Sequence, residues 1–230
     1  MSEPHHADPL RRAVRDSVGL GVAVSSYGVS FGALAVAAGL SPAQTCALSL
    51  LAFTGGSQFA YVGVIAGGGT AVSASVTALL LGLRNTLYAV RLAPLLRVRG
   101  ARRLVAAHTV IDESTAMALA QPVDRPDAGR LAFTVTSAVV FTGWNAATLL
   151  GALVGHAVDP LRLGLDGAEP AAFLALLWPR LRAQATGGQD RRVGLVAVVL
   201  AAAGTIVLPA GLAVPVAALA VFAAGRGRAT

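Results

Sequence analysis

The chain has 230 residues, of which 55% are hydrophobic and only 13% charged, with a mean hydropathy of +0.69. Soluble chains carry roughly 25% charged residues, so this composition excludes a soluble globule. The net charge of +7 comes from 18 basic residues, all arginines, set in short clusters between apolar runs with 5% aromatics, which excludes a nucleic-acid module.

A helix needs about 20 apolar residues to cross the hydrocarbon core. The polar tail 1–16 is expected to lie on the cytoplasmic side, and the first apolar run, 17–40, is free of charge. It shows no signal-cleavage pattern and is expected to stay as a span. A second run covers 42–66 and ends at the glycine triplet Gly67, Gly68 and Gly69; a third, 71–96, contains Arg84 and Arg91. A mixed stretch, 104–120, holds His108, Asp112 and Glu113. Further runs follow at 131–158, 170–178, 193–208 and 211–224, before a short tail, 226–230. The expected fold is an all-α polytopic membrane protein forming one transport domain, 17–225. It has about six to eight membrane-embedded helices, some broken or re-entrant, and is compatible with an internal inverted repeat.

Arginine position orients such a chain, because cytoplasmic loops are enriched in basic residues. Clusters lie at Arg11, Arg12 and Arg15, at Arg97, Arg99, Arg102 and Arg103, at Arg180, Arg182, Arg191 and Arg192, and at Arg226 and Arg228. Three full crossings from a cytoplasmic N-terminus would put the second cluster outside. The conflict disappears if 42–66 does not cross as one rod. That run is interrupted by Phe53-Thr54-Gly55-Gly56-Ser57-Gln58, and each glycine costs about 1 kcal/mol in a helix interior.

The same interruption is the first candidate site. Gly55, Gly56, Ser57 and Gln58 free backbone groups and add a hydroxyl and a carboxamide, as the broken helices of transporters do near the midplane; otherwise the glycines serve close packing. Arg84 is the second. Thirteen residues, or about 20 Å of helix, precede it in its run, and a guanidinium at that depth costs roughly 2.5–3.5 kcal/mol. It therefore meets either an anionic substrate group or an acidic side chain elsewhere, with Asn85 beside it. Asp112 and Glu113 are candidates for proton coupling or for pairing with Arg84, or else they begin a helix, where carboxylates suit the dipole. Gly28 and Gly32, Gly63 and Gly67, and Gly151 and Gly155 are small-residue pairs four apart and are expected to form packing seams. Cys46 is a single cysteine, so there is no internal disulfide framework. The four histidines have no metal-ligand spacing, and no metal or cofactor is expected.

In order along the chain, Tyr27-Gly28-Val29-Ser30-Phe31-Gly32, Phe53-Thr54-Gly55-Gly56-Ser57-Gln58-Phe59, Leu83-Arg84-Asn85-Thr86-Leu87-Tyr88 with Leu92-Ala93-Pro94, and Asp112-Glu113-Ser114 resemble the AzlC family of branched-chain amino acid permeases. Gly164-Leu165-Asp166 and 170–177 resemble its second half. The resemblance implies a multi-pass subunit of the bacterial cytoplasmic membrane that exports branched-chain or similar apolar amino acids and works with a small hydrophobic partner of the AzlD type. The chain departs from the family pattern at Gly56, Asn85 and Ile111, all at or beside the candidate site. It has no lysine, hence no phosphate-binding loop of the G-x-x-x-x-G-K type. Transport is therefore expected to draw on a gradient, of protons in the first instance. The alternatives are a carrier of another small solute or a non-transporting scaffold subunit; a membrane enzyme lacks the residues for its chemistry.

Overall fold

The computed structural model describes residues 8–155, 187–208 and 216–220, together with Arg182. The described residues are helical with no strand. The expected run 170–178 and most of 211–224 lie outside them.

Helix α1 (Pro9–Ser26) begins at Pro9, ahead of the expected residue 17, because Asp8 accepts a hydrogen bond from the Leu10 amide (3.1 Å) and proline occupies the first turn. A kink at Tyr27 joins it to α2 (Gly28–Ala37). Two half-length helices follow: α3 (Pro42–Leu51), opened by a Ser41–Gln44 capping box, and α4 (Gly56–Ala66). Next come the long α5 (Ala71–Leu96), two short helices, α6 (Ala101–His108) and α7 (Asp112–Leu119), and the long α8 (Pro126–Val154). Among the described residues a further helix, α9 (Gly187–Val207), covers the expected run 193–208 to within a residue. Among the described residues, Pro9–Ala37, Ala71–Leu96 and Pro126–Val154 are long and apolar enough to cross a membrane.

The contacts fix the directions of these helices. Ser17 donates to the Ala132 carbonyl (3.3 Å), Gly21 abuts Val139, Gly28 abuts Ala147, and Gly155 abuts Ala33. The partners rise together along both chains, so α1–α2 runs parallel to α8. A side chain at Gly32 or Gly151 would overlap backbone of the opposite helix, at Thr148 and Val29 respectively. Two of the three glycine pairs thus form one seam. With no aqueous hydrophobic effect between helices in lipid, such close backbone approach supplies the packing attraction. The third pair departs from expectation: nothing lies within 4 Å of a Cβ at Gly63.

Helix α5 runs the other way. Its last turn meets the start of α8, where Arg130 Nε donates to the Leu95 carbonyl (2.7 Å) and Leu95 packs on Gly129. The N-termini of α1 and α8 and the C-terminus of α5 therefore share one face, and the basic cluster 97–103 stands on it. The chain leaves α2 on the opposite face and enters α5 from that face, so α3 and α4 go in and come back out. Ser49 bonds Thr148 (3.2 Å) on the way down, and Phe59 contacts Trp144 on the way up. Helices α6 and α7 do the same from the first face. His108 reaches the level of Phe141, and the Ala118 carbonyl has returned to that of Gly129. Two re-entrant hairpins thus enter from opposite faces, and this resolves the orientation conflict in the sequence.

Candidate functional site

The hairpin tips meet at mid-depth. The first tip is a turn over residues 52–55, closed by Gly55 at a φ of 61°, a left-handed conformation that glycine adopts without strain. Its stability comes from Gln58, which is 1% exposed and donates from Nε2 to the carbonyls of Leu48 and Ser49, both at 3.2 Å. The side chain expected to serve a substrate thus also caps the last turn of α3, where the Leu48 carbonyl additionally accepts from the Ala52 amide (3.0 Å). The next carbonyl in that turn, Leu50, lies 2.9 Å from His108 Nε2 at the end of α6. Among the described residues this is the hydrogen bond that crosses directly between the hairpins. The imidazole is flanked by the rings of Phe53 and Phe141, at 6.2 and 5.9 Å.

The second tip, 109–111, is organised by Ser114. Its hydroxyl accepts from the Ile111 amide (3.1 Å) and donates to the Thr109 carbonyl (2.8 Å). Helix α7 then begins with Asp112, which receives two groups from α5. Arg84 approaches Oδ2 at 2.7 Å and the Tyr88 hydroxyl donates to Oδ1 at 2.9 Å. Spacing put Arg84 and Tyr88 one turn apart on one face, and the carboxylate answers both. Glu113 is buried in the same turn and makes no ion pair among the described residues.

Between the tips and the middle of α5 lies a cavity of about 400 Å³. Its polar lining includes Thr54, Ser57, Gln58, Asn85 and His108, and its apolar wall includes Leu48, Leu51, Leu79 and Leu83. Ser57 Oγ, Gln58 Oε1 and Asn85 Oδ1 are buried without a hydrogen-bond partner among the described residues. Such groups cost roughly 1–3 kcal/mol each when left unmet. The first turn of α4, in which the Gln58 and Phe59 amides bond the Gly55 carbonyl, adds the positive end of a helix dipole. A Cβ at Gly82 would stand 3.5 Å from Ser57 Oγ, an ordinary contact distance, so this turn of α5 lies against the tip.

The structure therefore brings Ser57, Gln58 and Asn85 together around one hollow. Gly55 and Gly56 shape the turn without lining it, and Arg84, Asp112 and Glu113 stand apart from the lining. For Arg84, the geometry carries the ion-pair reading. His108 was passed over in the sequence for want of metal-ligand spacing. The available signal was an imidazole in an apolar stretch that had to find a partner. No cluster of three or more His, Cys, Asp or Glu residues able to hold a metal occurs among the described residues.

No curated protein and no solved structure matches the chain. A family profile described as AzlC protein matches residues 19–158, which include both hairpins, α5, α8 and every candidate side chain. The match covers more than half of the sequence: the chain belongs to the AzlC family, a family of membrane transporters.

Proposed function

We propose that the chain is the transporting subunit of a secondary carrier that exports branched-chain or similar apolar amino acids across the cell membrane, with the arginine-rich face in the cytoplasm. The observation that carries this reading is the mid-depth cavity, which combines unpartnered polar atoms, a helix N-terminus and an aliphatic wall. A zwitterion matches it group for group. Its carboxylate suits the first turn of α4 and the Ser57 hydroxyl, its ammonium the amide oxygens of Gln58 and Asn85, and its tail the leucines. Half-helix ends facing substrate are the recurring solution in secondary transporters.

The orientation rests on Arg11, Arg12, Arg15, Arg97, Arg99, Arg102, Arg103, Arg125 and Arg130, which share one face, as basic residues do on the cytoplasmic side. Asp112, tied to Arg84, and the buried Glu113 are the groups on which proton coupling would act. An AzlD-type small subunit is the proposed partner, and much of α5 is free to receive it. Val72, Leu79, Leu87 and Val90 on that helix are each at least 70% exposed.

Counterflow in vesicles tests the proposal, with and without the small subunit co-expressed. Preloaded leucine, isoleucine or valine is expected to drive saturable uptake of the labelled amino acid, with Asn85→Ala raising KM about tenfold, the worth of one hydrogen bond at roughly 1.4 kcal/mol. Absence of saturable exchange under both conditions would leave the scaffold alternative.

A further inference from the structure

A second hollow, of about 1090 Å³, lies between α6 and α8 and is not part of the transport cavity, although His108 borders both. Its walls are apolar: Leu96, Val98, Leu104, Val105, Phe133 and Phe141 line it, with Leu104 and Val105 left 74% and 67% exposed. Its charge is confined to one end. Arg102 and Arg130 border the hollow, both at the arginine-rich face, and Arg130 spends only Nε on the Leu95 carbonyl. From Arg130 to Thr142, the far limit of the lining on α8, is twelve residues of helix, about 18 Å. That is close to the thickness of one leaflet's hydrocarbon, half of roughly 30 Å.

We propose that this groove binds one anionic phospholipid, its phosphate between Arg102 and Arg130 and its acyl chains along α6 and α8 down to the level of His108. The charge is complementary and sits at headgroup depth, and the apolar wall has the length of a lipid tail. Basic pockets between transmembrane helices on the cytoplasmic side bind anionic headgroups in this way. The site is independent of the substrate reading, since none of its residues except His108 touches the transport cavity.

Native mass spectrometry of the full chain, extracted from vesicles of phosphatidylcholine with or without phosphatidylglycerol, tests this. One phosphatidylglycerol is expected to stay bound per chain, with phosphatidylcholine lost. Each basic residue near the surface contributes about fivefold to anionic-lipid affinity, so Arg102→Gln/Arg130→Gln is expected to weaken retention about thirtyfold. Arg11→Gln/Arg12→Gln removes the same charge from the same face but away from the groove, and is expected to retain the lipid. Ala138→Trp, on the groove wall, is expected to lower retention with both arginines intact. Equal loss in the two arginine pairs would reduce the effect to surface potential and overturn the site, as would equal retention of both lipids by the wild type.

Discussion

Replacing Asp112 with asparagine keeps an oxygen for the Tyr88 hydroxyl but strips the counter-charge from Arg84. Thirteen residues separate Arg84 from the start of α5 and twelve from its end, about 20 and 18 Å of helix, so the guanidinium reaches neither interface. An arginine at that depth costs roughly 2.5–3.5 kcal/mol. The Arg84 and Asp112 side chains are 24% and 22% exposed, so their burial is incomplete and the penalty is taken at the lower figure. Asp112→Asn is therefore expected to lose about 2.5 kcal/mol of stability, close to seventyfold in the folding equilibrium. Arg84→Gln strands the Asp112 carboxylate in the same way and is likewise expected to lose stability. The double variant, neutral at both positions, recovers most of the loss. Denaturation of the four proteins in detergent micelles, followed by far-ultraviolet circular dichroism, measures the cycle. Additive losses in the double variant would refute the coupling, and with it the claim that this pair locks the second hairpin to α5.

Three further outcomes follow from the same contacts. Gly151→Val drives a side chain into the Val29 backbone and is expected to cost about 1–3 kcal/mol in the same unfolding assay, while Gly63→Ala, with open space around it, is expected to gain up to about 1 kcal/mol. Gln58→Leu removes both hydrogen bonds that close the first tip; it is expected to abolish counterflow and to lower the unfolding midpoint. His108→Ala unpins the hairpins and is expected to speed thiol labelling of Cys46 on α3 severalfold, whereas His108→Gln, which keeps a donor, labels closer to the wild-type rate.

The parts of the fold legible in the sequence were those set by local chemistry. Two adjacent glycines followed by Ser57 and Gln58 break a helix wherever they stand, and the Gly28–Gly32 and Gly151–Gly155 spacings put small residues on one face. Helix α1 extends beyond the apolar run that begins at 17 and takes in Arg11, Arg12 and Arg15. They are helical residues at an interface, begun by Asp8 and Pro9. What one chain could not reveal was which distant groups meet. Arg84 needed an anion, but the 27 residues between it and Asp112 gave no reason to choose Asp112 over Glu113 or a substrate. Gln58 and His108 each cap α3 across a gap, a role that depends on a hairpin whose return direction is fixed only by packing against α8 and α5. Gly63 has the same spacing as the seam glycines, yet among the described residues nothing lies within 4 Å of a Cβ there, so spacing alone did not identify a contact.

The central claim is that an apolar amino acid occupies the hollow where the two hairpin tips meet. In a Cys46→Ser background, a cysteine at Thr54 lines that hollow, while one at the fully exposed Val123 lies away from it. Thiol labelling of each is to be timed in the full chain against increasing leucine, isoleucine and valine. Saturable slowing at position 54, with no change at position 123, is the predicted result. Labelling at position 54 that stays constant across the whole concentration range, in protein that remains folded, would contradict it.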